Sequence, residues 1–209
     1  VADGNQQKSI QKSVVVPPRG SLPPDLADDI IANMFGLTSP TFGWIEISGD
    51  VPRVSATTAV SAQVDPNDPA KGVKTAQVGG LLSDSPDVIG ASEAERRFAG
   101  AEKSVQKRTN LALVETRGAP AHVVVRAYSN AGTRLAQSEY DLAPGQYLQI
   151  TDAFGSTGVS LGDGPFQDVE LTVQVTSGAG RVVGVASVID NVSRIPQLFV
   201  LKDAGPPPA

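Results

Sequence analysis

The 209-residue chain has no cysteine, one histidine, one tryptophan and one methionine, and aromatic residues make up only 5% of it. Without cysteine there are no disulfide staples and no thiolate metal sites, so stability has to come from packing. A single histidine leaves too few nitrogen and sulfur ligands for a closed zinc site. It also leaves one candidate base for a nucleophile triad, His122, which opens an apolar strand-like run with no G-x-S-x-G elbow anywhere in the chain. No apolar run reaches the ~18 residues a membrane-spanning helix needs, so no membrane span is expected. Seventeen basic residues against 22 acidic ones give a net charge of −5. Nowhere do Lys and Arg interleave with aromatics as in a nucleic-acid footprint, which excludes that class of partner.

What the chain has is turn chemistry and hydrophobic content. Glycine (21) and proline (16) make up about 18% of the residues, against roughly 12% in an average protein, and hydrophobic residues reach 40%. Short β-branched runs at 111–114, 122–128, 133–142, 147–150, 169–175, 181–189 and 197–201 are separated by Gly, Pro, Asn and Asp turns. Seven strands spaced this closely predict an antiparallel sandwich of immunoglobulin-like size. The turn Thr116-Arg117-Gly118-Ala119-Pro120 predicts a hairpin between the first two strands.

The chain also repeats itself. Residues 2–18 align with 130–144 as a turn, a polar strand-like run and a proline brake, and the segments at 29–36 and 44–54 align with 152–155 and 171–182. The first copy has no counterpart of the apolar stretch 111–128 that precedes the turn of the second. The expected fold is therefore all-β: tandem immunoglobulin-like antiparallel β-sandwiches, the N-terminal one incomplete, as in a fragment cut inside a domain. The expected boundaries are a partial sandwich over 1–64, an irregular packed connector over 65–106, a complete sandwich over 107–203 and a Pro-rich tail over 204–209. In the first copy, strands are expected at 9–16, 43–48 and 53–63 and a short helix at 25–35.

Few residues offer chemistry. Asp65, Asn67 and Asp68 share a proline-framed loop and could give three or four of the six to eight oxygens that calcium requires, which makes them the candidate metal ligands. The simpler account is that Asp and Asn cap the turn's own backbone. Phe42 and Trp44 flank Gly43 and form the candidate ligand-binding pair, an exposed aromatic face for a sugar or a protein. Against this, a large aromatic at the start of a strand ordinarily joins the core. No other cofactor and no catalytic residue is expected.

The stretch Arg108-Thr109-Asn110-Leu111-Ala112-Leu113-Val114, the Leu142-Ala143-Pro144-Gly145-Gln146 turn, Gln149-Ile150-Thr151-Asp152-Ala153-Phe154 and Ala186-Ser187-Val188-Ile189-Asp190-Asn191 together resemble tandem Ig-like β-sandwich modules of large secreted bacterial proteins. The resemblance covers 108–201 well and 9–60 loosely, with Arg194-Ile195 where the family often has Gly-Asp. It implies a secreted or cell-surface setting beside proteases or other extracellular domains, and no catalytic motif. The expected function is a structural or adhesive module that assembles by strand addition, with a protein partner or neighbouring copy completing the N-terminal sheet. The alternatives are an accessory domain of a secreted hydrolase, such as a protease, and a carbohydrate-binding module.

Overall fold

The computed structural model describes residues 2–3, 6–7, 10–18, 20–22, 30–37, 44–48, 57–63, 73–79, 85–194 and 196–203. Two compact units are present, Val1–Glu46 and Ile47–Ala209. In the first, strands β1 (Ala2–Asp3) and β2 (Gln6–Gln7) pair antiparallel. Ile30–Met34 forms one wide helical turn, closed by Gly36 at a φ of 65° whose N–H reaches the Ala32 carbonyl at 2.9 Å. Left-handed backbone at such a position is what glycine tolerates best. The run 10–17, expected to hold a strand, is without regular secondary structure, and Val14, Val15 and Val16 are exposed. Likewise 44–48 carries no strand. A β-branched run becomes a strand only where a neighbouring edge supplies ladder hydrogen bonds, which local pattern cannot report.

The second unit is all-β. Its elements are β3 (Thr57–Gln63), β4 (Val73–Gly79), β5 (Arg96–Lys103), β6 (Lys107–Glu115), β7 (Ala121–Tyr128), β8 (Arg134–Leu142), β9 (Tyr147–Ile150), β10 (Phe166–Gly178), β11 (Val182–Asp190), β12 (Pro196–Val200) and β13 (Lys202–Asp203). β3 and β4 pair as an antiparallel hairpin. The others form two antiparallel sheets, one of five strands in the order β13-β5-β10-β7-β8 and one of four in the order β12-β11-β6-β9. Their inner faces meet in one β-sandwich-like core that includes Leu111, Leu113, Val123, Val125, Leu171, Val173, Val182 and Ala186. Alternation explains it: in β7, residues 123, 125 and 127 turn inward while His122 and Arg126 turn out.

Two sequence expectations are corrected here. Strands β6 and β7 do not form a hairpin: β6 pairs with β11 and β9, and β7 with β10 and β8. The turn at 116–120 therefore carries the chain from one sheet to the other, a distinction turn chemistry does not encode. β4 and β5 also lie inside the stretch read as connector, and β5 joins the five-stranded sheet. The polar sequence of β5 hides its alternation, yet Phe98 and Ala101 reach the core. Arg96 is 5% exposed and is satisfied by donating to the carbonyls of Pro86 and Ala94, as a buried guanidinium must be.

Strand directions give the sandwich two unlike poles. At one lie the turns 116–120, 143–146 and 179–181. The chain also enters there, with Ile89 bridging to Val182, and leaves there, with Asp203 paired to Arg96 and Lys202 bonded to Asp87. At the far pole lie the turns 104–106, 129–133 and 191–194 and the long loop 151–165.

Candidate functional site

The near pole is built around a buried carboxylate. Glu115 ends β6 with no solvent exposure and accepts from four backbone N–H groups: Arg117 at 2.7 Å, Gly118 at 2.8 Å, Gly145 at 2.7 Å and Arg181 at 3.1 Å. Burial alone would raise its pKa, but these donors outweigh it and hold the carboxyl below its ordinary range. Three turns are thus tied to one side chain. Arg181 extends the knot, gripping Glu93 at 2.7 and 3.2 Å and the Val88 carbonyl at 2.5 Å. The role is structural.

The outer face of the five-stranded sheet carries a polar ladder. Lys202, Arg97, Thr172, Arg126 and Gln137 follow one another across five strands in register. Glu95 sits 3.1 Å from Arg97 and 3.5 Å from Arg126, and Arg126 donates to Gln174 at 2.9 Å and Gln137 at 3.2 Å. Gln137 in turn donates to Glu139 at 3.0 Å. At the end stands His122, with Nδ1 2.6 Å from Asp141 and Nε2 3.4 Å from Glu139. A catalytic base needs one ring nitrogen facing a nucleophile; here both face carboxylates. Asp141 foremost raises the His122 pKa above its ordinary 6.5. The raised value means His122 stabilises the fold fully below about pH 6.5, a contribution lost as pH rises through the folded midpoint. Asp141→Asn is expected to lower the His122 midpoint measured by NMR titration; an unchanged midpoint would show that Asp141 is not its partner in solution.

At the far pole, Lys103 is held by Asp152 at 2.7 Å, the Gly162 carbonyl at 2.9 Å and Asp163 at 3.5 Å. The Asp152 hydrogen bond raises its pKa. With Ser156 and Ser160 these groups line a shallow cleft, and the ammonium is already neutralised within it.

The fourth feature is a groove of about 350 Å³ along one side of the sandwich, lined by Phe98, Ala99, Gly100, Glu102, Phe199 and Lys202 among others. It exists because one strand splits between the sheets. β12 pairs with β11; Leu201 is then buried, and β13 crosses to pair with β5 only at Arg96 and Arg97. From 98 to 101, no described strand occupies the outer edge of β5; at Glu102 the backbone N–H and C=O both bond Thr109 Oγ1 of β6. Phe98 and Phe199 stack across the gap with centroids 4.9 Å apart, and Phe199 stays 39% exposed. Gly100 has open space around its α-carbon.

Of the residues singled out from sequence, Asp65, Asn67, Asp68 and Phe42 lie outside the described residues. Trp44 is half-buried in a segment without regular secondary structure. Among the described residues no group of three or more His, Cys, Asp or Glu is placed to hold a metal ion. The ladder, the Glu115 knot, the Lys103 cleft and the groove were not read from sequence. Their members lie far apart in the chain, Lys103 and Asp152 by 49 residues and Arg181 and Glu93 by 88. No protein-family model, curated protein or solved structure matches this chain.

Proposed function

We propose that this chain is a non-catalytic structural or adhesive module of a secreted or cell-surface bacterial protein, built on tandem immunoglobulin-like sandwiches of which the first is incomplete, and assembling by strand addition. The observation that carries the reading is the unoccupied edge of β5 beside the Phe98–Phe199 stack, where backbone N–H and C=O groups are offered to another strand. The titratable side chains described above engage one another or backbone groups, an arrangement that gives rigidity. A second reading, an accessory domain of a secreted hydrolase, is favoured by the two connections at one pole, which leave the far pole free for display. Light scattering across a concentration series tests assembly. The chain is expected to move from 21.6 kDa monomer to larger particles as concentration rises, and a constant monomer mass would remove assembly from the proposal.

A further inference from the structure

Resting on that reading, we infer that the strand added to β5 is residues 10–16 of a second copy of this chain. Acceptor and donor fit in three respects. The first is length. The open edge of β5 runs from 98 to 101, roughly 13 Å at the rise of a strand, and the four residues 13–16 are of matching length.

The second is the nature of the donor. It is a β-branched run, Ser13-Val14-Val15-Val16, whose valines are exposed, Val15 at 89%. It carries no strand pairing of its own. Such a segment has the propensity for a ladder and lacks only the neighbour. Its valines suit a groove walled by Phe98 and Phe199.

The third is register, which proline sets. Antiparallel addition with Val16 opposite Phe98 places Val15 opposite Ala99 and Val14 opposite Gly100. Pro17 then falls opposite Arg97, where β13 already occupies the edge and where a residue without an N–H ends the ladder. Parallel addition would set Lys12 beside Arg97, a like-charge contact.

The absence of native cysteine makes the test clean. Val15→Cys and Ala99→Cys are introduced on separate full-length chains, which are mixed at a concentration where the wild type is assembled and treated with a short thiol-to-thiol cross-linker. The expected result is a covalent dimer of the two variants at a yield well above that of Val15→Cys with Gln137→Cys, which lies on β8 at the far side of the same sheet. Val15→Asp, which sets an unpaired charge in an apolar groove, is expected to weaken assembly about tenfold or more. If the yields with Ala99→Cys and Gln137→Cys are equal while the wild type still assembles, this donor is wrong and strand addition by another segment stands. If the wild type stays monomeric at every concentration, both the donor and the assembly reading fall.

Discussion

Glu115→Ala is expected to destabilise the second unit by about 3–5 kcal/mol, because it strips a common acceptor from four buried N–H donors at once. By the usual scaling this is a fall in Tm of about 10 °C or more, measurable by circular dichroism. Glu115→Gln should cost less, since one carbonyl oxygen still accepts while the amide NH₂ opposes the remaining donors. The two variants also separate the pH terms. The folded pKa of Glu115 lies below its ordinary 4.5, so its contribution is present above that value and fades as pH falls through the folded midpoint. Wild-type stability should therefore drop in acid along a segment that Glu115→Gln lacks. Equal acid sensitivity of the two proteins would show that other carboxylates govern that range.

Phe154→Ala is the second large effect, expected at about 3–5 kcal/mol. Phe154 stands in the long far-pole loop rather than in a strand, yet it has no solvent exposure and meets Phe166 with ring centroids 5.3 Å apart. Ala153 and Val159 are buried with it. The loop is pinned from both sides: Phe154 receives the Leu161 and Gly162 amides on its carbonyl, while its own N–H reaches Asp152 Oδ1 at 3.1 Å. Removing the ring should leave a cavity and loosen the Lys103 cleft, whereas Phe154→Leu should recover most of the stability. A loss below about 1 kcal/mol, within the range of surface substitutions and small core trims, would mean the loop is not part of the core.

These two residues also mark where sequence reading succeeds and stops. The alternating and apolar runs around Leu111, Val123, Tyr140, Ile150, Val173, Val185 and Leu198 each became strands, because strict alternation leaves a half-buried strand little choice. β5 escaped notice since Arg96 and Arg97 open it and Gly100 interrupts it, and β13 is two residues long. The hairpin expected at 116–120 failed for a different reason: a turn fixes the reversal of the chain, while partner choice depends on strands far along the chain, such as the pairing of Leu113 with Gly184. Glu115 itself had one visible signal, a lone acid closing an apolar run just before a glycine turn. Its remaining donors come from Gly145 and Arg181, which only the fold brings near. The runs at 10–17 and 44–48 looked like strands by composition and carry no strand, and the first of them is the donor inferred above.

Backbone hydrogen exchange at residues 98–101, followed from dilute to concentrated full-length protein, tests the central claim most directly. Strand addition at the open edge of β5 predicts that amides in this stretch gain protection as concentration rises, while those of β7, already paired on both sides, stay constant. Exchange at 98–101 that is the same at every concentration would contradict it.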